Sequence, residues 1–216
     1  MNGTSEGIRL DVAAFLRERD PNNRLTPYFE LLARENSRVN IVSRETLPPT
    51  APSGRDRFEG LRRLTAESIY PITELHRAQT RSYLDIGSGG GFPAIPIVLT
   101  ATISDTLLVE RTRKKAAALR RILMELQLRA EICTESFESL VLKEGSCDLI
   151  TLRLVRLTDR LAARILPLLA PGGDFVYYAL ADISADSSRF LTRQLRFTAG
   201  GGRDFHTATI VTRKPE

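Results

Sequence analysis

The fold is decided by residues 83–93, which read YLDIGSGGGFP. The first four residues are apolar apart from Asp85, and this predicts a short buried strand. The run from Gly87 to Gly91 predicts a tight loop, because glycine accepts backbone conformations that other residues avoid and lets a ligand approach the main chain. A helix with prolines in its first turns follows. This order is typical of ligand sites at the carboxyl ends of strands in an open α/β sheet.

Strands and helices alternate on the C-terminal side of this loop. Seven strands are predicted over residues 83–86, 106–109, 130–133, 147–152, 175–180, 195–197 and 206–212, the last two as a hairpin across glycines 200–202. Helices are predicted over residues 8–18, 26–34, 57–70, 92–99, 112–128 and 157–169, the last closed by Pro171, Gly172 and Gly173. The alternation predicts right-handed crossovers and a mainly parallel sheet with helices on both faces. We therefore expect a Rossmann-like α/β domain over residues 76–216, preceded by a helical extension over residues 1–75. A linker-like stretch lies within this extension, at residues 47–54.

Composition excludes several protein classes. The chain has 216 residues, of which 42% are hydrophobic and 26% charged, as in soluble globular domains and unlike disordered or collagen-like chains. Its longest nearly unbroken apolar stretch, residues 92–99, is shorter than the roughly 18–20 residues of a membrane span. Residues 1–20 lack the basic-then-apolar order of a signal peptide. The two cysteines, Cys133 and Cys147, form no zinc pattern, so we expect no metal and a reducing cytoplasm.

The charge balance is basic, with 31 lysines and arginines against 26 acidic residues. Basic residues cluster on the predicted helices, and phosphate contacts with RNA are one interpretation; solvated helix faces are the other. Cations are unfavourable at the positive end of a helix dipole, which favours a phosphate role for Arg113 and Lys114. Arg62 and Arg63 form a second candidate surface.

The glycine loop and Glu110 together favour one cofactor. The spacing is G-x-G-x-G, and the third glycine of a dinucleotide fingerprint would fall at Phe92. Glu110 ends the second predicted strand, where a carboxylate can accept both hydroxyls of a ribose. Asp85 could accommodate the cationic part of S-adenosylmethionine. This cofactor is favoured over NAD, and over a structural glycine turn without a ligand.

The same stretch resembles the cofactor loop of the RsmG (GidB) family of bacterial methyltransferases. The likeness extends through the Phe-Pro-x-Ile-Pro tail to residue 97 and covers roughly residues 28–215. Further similar segments are residues 31–40, where Glu35 replaces the usual tryptophan, and residues 113–128, 150–157 and 167–173.

The resemblance implies a methyltransferase that uses S-adenosylmethionine to modify guanine N7 in the RNA of the small ribosomal subunit. It implies cofactor contacts at Gly87, Phe92, Thr134, Glu135 and Arg153. The interpretation of the glycine loop and the second strand as a cofactor site adds Asp85, Ser88, Gly89 and Glu110. Arg153 would also position the reactants; its other interpretation is a salt-bridged arginine at a strand end. Transfer to N7 needs no general base, because N7 carries a lone pair and no proton. The partner would be ribosomal RNA or the small subunit, and a monomer is favoured although the sequence does not determine the oligomeric state.

Two departures from the family pattern leave the substrate open. Leu64 replaces a histidine and Glu67 an aspartate in the family's H-x-x-D-S-L segment. Ala181 and Asp182 replace a lysine and a glycine after the fifth strand. The alternatives are a methyltransferase with another RNA or small-molecule substrate, or a non-catalytic RNA-binding protein that retains the cofactor site.

Overall fold

The computed structural model describes residues 7–50, 56–75, 79–200 and 204–215, and in them the chain forms one mostly parallel sheet flanked by helices. The strands are β1 (Ile8–Leu10), β2 (Ser82–Ile86), β3 (Asp105–Val109), β4 (Glu131–Cys133), β5 (Cys147–Leu152), β6 (Leu169–Tyr177), β7 (Phe190–Ala199) and β8 (His206–Arg213). The helices are α1 (Val12–Arg19), α2 (Leu25–Asn36), α3 (Glu59–Thr73), α4 (Ala94–Thr100), α5 (Arg113–Glu125) and α6 (Asp159–Ile165). Residues 51–54 of the expected linker, glycines 201–202 of the hairpin and His76 lie outside the described residues.

The strand order is β1-β7-β8-β6-β5-β2-β3-β4. β2 pairs in parallel with β3 and β5, and β5 with β6, as expected for strands joined by helical crossovers. β8 lies antiparallel between β6 and β7. The predicted α/β architecture and the terminal hairpin are therefore confirmed.

The N-terminal residues correct one prediction. All seven predicted strands are present, and an eighth, β1, replaces the start of the helix predicted from residue 8. β1 pairs in parallel with β7, with Ile8 opposite Phe197. The helix starts only at Val12, because the Asp11 side chain accepts a hydrogen bond from the Ala14 N–H at 3.0 Å and caps it.

Several element boundaries also differ from the prediction, including that of the helix predicted over residues 157–169, which ends at Ile165. α2 begins at Leu25 because the Asp20 carboxylate accepts the N–H groups of Arg24 and Leu25, so Thr26 is not its cap. α3 continues through Pro71 to Thr73 instead of ending before the proline. β6 begins at Leu169 and runs through residues 171–173, with a register shift opposite β5, and it ends at Tyr177. The proline–glycine segment thus lies in the sheet instead of separating a helix from a strand.

The two faces of the sheet are covered by different helices. On one face, α2 and α3 pack with α4 and α5 around Tyr28, Leu61 and Tyr83. On the other face, α6 packs on Leu84 and Ile150. Because side chains alternate along β2, Tyr83 points to the first face and Leu84 to the second. The N-terminal helices therefore lie on the sheet beside the glycine loop. The division into an extension over residues 1–75 and a domain over 76–216 stays a prediction, and β1 belongs to the sheet.

Candidate active site

A cleft of about 570 Å³ opens at the carboxyl ends of β2, β3 and β5. Seven of the residues predicted to bind cofactor line it: Gly87, Ser88, Gly89, Phe92, Glu110, Glu135 and Arg153. Asp85 and Thr134 are not among its lining residues. The sequence missed a wall of N-terminal residues, Ile41, Val42, Ser43 and Thr46, and an apolar wall of Phe137 and Leu161.

The glycine loop is held by backbone hydrogen bonds to β3. The N–H groups of Gly87 and Ser88 both donate to the Val109 carbonyl, at 2.8 and 3.0 Å. Gly87 has a φ of +79°, and a Cβ at this position would lie 2.6 Å from Val155 Cγ2. The turn therefore requires glycine at this position for both its conformation and its packing.

Glu110 connects the loop to the tip of β3. Its carboxylate accepts the Gly89 N–H at 2.9 Å and the Thr112 N–H at 2.6 Å, and the residue is only 6% exposed. A carboxylate offers about four acceptor positions, so further hydrogen bonds to a ligand diol can be accepted. Glycines open to the cleft and an oriented carboxylate at the end of the adjacent strand fit the ribose of an adenosyl cofactor.

Asp85 lies beneath the loop rather than on the wall of the cleft. It is 1% exposed and accepts a hydrogen bond of 2.5 Å from the Thr151 hydroxyl. Burial raises its pKa to about 6, although the hydrogen bond from Thr151 acts in the opposite direction. The structure thus places Asp85 as a support for the loop, and its location does not support the direct contact with a cationic cofactor group that the sequence suggested.

Some of the residues directly after β4 line the cleft and others lie next to it. Glu135 is exposed and lines the cleft, whereas Thr134 is half-buried beside it. Phe137 is 4% exposed and supplies an apolar surface in the same segment. A planar adenine ring packs well on such a surface, so this segment fits the role that the family resemblance implies.

Residues of α2 and of the segment after it cover the glycine loop. The Tyr28 hydroxyl donates to the Gly90 carbonyl at 2.9 Å, and its ring lies 5.4 Å from that of Phe92. The Asn36 side chain accepts the N–H groups of Ile41 and Val42, at 2.7 and 2.9 Å. These bonds hold residues 41 and 42 against the cleft, and a Cβ on Gly90 would lie 2.3 Å from Ile41 Cγ2.

Arg153 is anchored by α3. Its guanidinium donates to Glu67 Oε2 at 2.8 Å and to the Ser68 hydroxyl at 3.2 Å, and lies over the Tyr178 ring. Glu67 also lies 3.2 Å from Nε2 of His206. Burial alone would raise the pKa of Glu67, but the hydrogen bond from His206 and the charge of Arg153 lower it below its ordinary value. Both interpretations of Arg153 therefore apply, since it is salt-bridged and also lines the cleft.

The family departures on α3 fall within this site. Leu64 lines the cleft one turn before Glu67, the partner of Arg153. The apolar side chain at position 64 faces the ligand space directly. The departure is therefore located where it can change the substrate or the cofactor contacts.

The four predicted RNA-binding residues lie in different settings. Arg113 and Lys114 are exposed on the first turn of α5, directly after the cleft residues Arg111 and Thr112. Arg62 instead pairs with Asp56 at 2.8 Å and lines a separate depression beside α1. Arg63 is directed toward Glu67 at 3.7 Å. Only the α5 pair continues the basic rim of the cleft.

Two further predictions concern features that the described residues do not contain. Among residues 7–50, 56–75, 79–200 and 204–215, no helix combines the length and apolar character needed to cross a bilayer. No group of three or more potential metal ligands occurs in the same ranges.

Comparison with known proteins identifies the family of the chain. The family model GidB, described as rRNA small subunit methyltransferase G, matches residues 21–196. The chain belongs to the GidB family. A relative from Rhodopseudomonas palustris is 32% identical over 188 residues, which cover 83% of this chain and 75% of the relative. One from Cereibacter sphaeroides is 31% identical over 159 residues, covering 72% and 71%. Both are named ribosomal RNA small subunit methyltransferase G.

Solved structures agree with this GidB assignment at the level of the fold. A tRNA methyltransferase from Aquifex aeolicus superposes with a TM-score of 0.53 at 15% identity, covering 70% of this chain and 69% of that one. An rRNA methylase from Streptococcus thermophilus gives 0.52 at 12% identity, covering 63% and 89%. The GidB chain therefore has the Rossmann-like methyltransferase fold.

Proposed function

We propose that this protein is an S-adenosylmethionine-dependent methyltransferase that modifies N7 of a guanine in the RNA of the small ribosomal subunit. The observation that carries the proposal is the hydrogen bond from the Gly89 N–H to the Glu110 carboxylate, in a cleft at the strand ends of a chain that belongs to the GidB family. Ribosomal RNA or the small subunit is the partner, and the cytoplasm is the compartment where they meet.

The residues of the cleft fit the cofactor in three parts. Gly87, Ser88, Gly89 and Phe92 form the cradle, Glu110 accepts the ribose hydroxyls, and Glu135 flanks the adenine, with Thr134 next to it outside the lining of the cleft. Arg153, fixed by Glu67, lies where the remaining part of the cofactor or the target base would be held. S-adenosylmethionine supplies an electrophilic methyl group when it is bound.

The chain's own contribution to catalysis is orientation. Guanine N7 attacks with its lone pair, so no side chain has to remove a proton. The two reactants must be held in line, and positioning alone can supply much of the acceleration of such a step. The Glu67–Arg153 pair, of which only 7% and 13% is exposed, gives a rigid charged group beside the reacting atoms. Arg153 is thus a positioning residue.

The RNA is held by the basic rim. Arg111 and Lys115 line the cleft, and Arg113 and Lys114 extend the positive surface along the first turn of α5. Lysines and arginines that contact phosphates release counterions, so binding should weaken as salt increases. The target guanine has to leave its stack to reach the cleft.

The test is transfer of labelled methyl groups to small ribosomal subunits that lack the modification. Label on a single guanine, absent with Glu110→Ala, is expected. Calorimetry with S-adenosylhomocysteine is run on both proteins, and the variant should show weak binding or none. A wild-type protein that binds S-adenosylhomocysteine and labels no RNA contradicts the RNA methyltransferase assignment. It would direct the search to small-molecule acceptors or to RNA binding without turnover.

A further inference from the structure

Leu154 lies at the mouth of the cleft in a conformation that leucine seldom adopts. Its φ is +59°, in the left-handed region, and its side chain is 97% exposed although it lines the cleft. Bulky residues in this region are outliers that persist where neighbouring contacts hold them, and they concentrate at functional sites.

The neighbours of Leu154 hold the backbone on both sides. Before it, the Arg153 side chain is anchored by Glu67 and Ser68. After it, Val155 packs so closely on the glycine loop that a Cβ at Gly87 would lie 2.6 Å from its methyl group. Arg153 and Val155 are thus both turned into the protein. The residue between them is forced outward.

The cleft that Leu154 lines carries charges of both signs. Its cations are Arg111, Lys115 and Arg153, its acids are Glu110, Glu135 and Glu138, and Arg156 is exposed two residues after Leu154 along the chain. Other large apolar side chains that are exposed in the described ranges are Ile8, Met124, Val141, Leu180 and Leu191, and none of these lines the cleft. Leu154 is therefore the one strongly exposed large apolar side chain among the described lining residues, and it does not belong to an extended exposed apolar surface suited to a protein partner.

We propose that Leu154 packs against the face of the unstacked target base and holds it in the cleft. A nucleotide combines an apolar ring face with an anionic phosphate, which matches one projecting leucine in a cleft that also presents Arg111 and Lys115. This proposal rests on the proposed function, since it requires RNA as the substrate. It adds a substrate-contacting residue to a site otherwise described by its cofactor residues.

Three variants separate the side chain from the backbone conformation. Leu154→Ala removes the apolar contact and keeps a Cβ, Leu154→Gly also relieves the left-handed conformation, and Leu154→Met keeps an apolar contact. Val141→Ala is the matched control, because Val141 is 99% exposed and lies outside the cleft. Each protein is tested for kcat/KM on unmodified small subunits and for S-adenosylhomocysteine affinity by calorimetry.

We expect kcat/KM to fall about tenfold in Leu154→Ala and Leu154→Gly, in the range expected for the loss of one partly buried leucine contact. Leu154→Met and Val141→Ala should stay within about threefold of wild type, and S-adenosylhomocysteine affinity should not change. Wild-type turnover in Leu154→Ala refutes the base contact. An equal loss of S-adenosylhomocysteine affinity also refutes it, by placing Leu154 against the cofactor. If the wild-type protein itself labels no RNA, both this proposal and the proposed function fail. If the wild-type protein labels RNA and Leu154→Ala does so equally well, only this proposal fails.

Discussion

Removal of the Tyr28 hydroxyl group tests whether the packing of α2 on the glycine loop stabilises that loop. Tyr28 is fully buried, and its hydroxyl donates to the Gly90 carbonyl at 2.9 Å. Tyr28→Phe keeps the ring contact with Phe92 and leaves this carbonyl without its donor. Such a loss costs about 1–2 kcal/mol, which corresponds to a Tm lower by about 2–8 °C in a chain of this size.

A second buried tyrosine supplies the control. Tyr70 is 5% exposed, and its hydroxyl has no hydrogen-bond partner in the described residues. Tyr70→Phe should therefore leave Tm unchanged or raise it, because it removes a buried polar group that lacks a partner. The assay is thermal unfolding followed by circular dichroism, with and without S-adenosylhomocysteine.

The ligand-bound measurement distinguishes loop support from general stability. Because the loop lines the cleft in which we propose that the cofactor binds, Tyr28→Phe should also weaken S-adenosylhomocysteine binding and reduce the Tm increase that the ligand causes. Equal Tm values for Tyr28→Phe, Tyr70→Phe and wild type would refute the hydrogen bond as a stabilising contact. A lower Tm with unchanged ligand affinity would refute its connection to the cofactor site.

Three further predictions follow from the loop, the buried acid and the basic rim. Gly87→Ala should abolish S-adenosylhomocysteine binding in calorimetry, since the added Cβ would lie 2.6 Å from a neighbouring methyl group; unchanged affinity would contradict the close packing. The pKa of Asp85 is raised to about 6, so the folded state binds its proton more tightly than the unfolded state and wild type loses stability as pH rises from about 4 to 6. Asp85→Asn should remove this loss and raise the free energy of unfolding in urea by up to about 3 kcal/mol at neutral pH. If the free energies of unfolding of wild type and Asp85→Asn changed in parallel with pH, the raised pKa of Asp85 would be contradicted. Reversing the charges of Arg113 and Lys114 should weaken RNA binding in filter assays and lower the salt slope by about 1–2, whereas Arg129→Glu, at an exposed position between α5 and β4, should not.

The sequence predicted the centre of the fold well because the signals there are local. Residues 83–93 carry the strand, the turn and the helix start within one segment, and the acid at position 110 follows a clear second strand. The hydrogen bond from Gly89 to Glu110 then forms because parallel neighbours bring both residues to the same edge of the sheet. Local pattern and topology together therefore predicted seven of the residues that line the cleft, and their contact with a cofactor stays a prediction.

The features that were missed depend on contacts between distant segments. β1 has three residues, and apolar positions in so short a segment fit a helix as well as a strand until β7 is known to lie beside it. The turn that places Ile41 and Val42 could have been predicted from Asn36, because an asparagine side-chain oxygen often accepts backbone N–H groups in a turn. Its position over Gly90 could not, because no local pattern specifies docking between helix and loop. Asp85 was misplaced for the same reason, since its partner Thr151 lies on another strand.

The pairing of β1 with β7 also affects how the protein is made. A chain is synthesised from its N-terminus, so Ile8 is exposed long before its partner Phe197 has been added. α3 likewise packs against β7, and it carries the anchor of Arg153. The nascent chain consequently completes the N-terminal edge of its sheet and the support of its cleft only when the last two strands emerge. We therefore expect a chain that stops before β7 to lose ligand binding, although every residue that lines the cleft is already present in it.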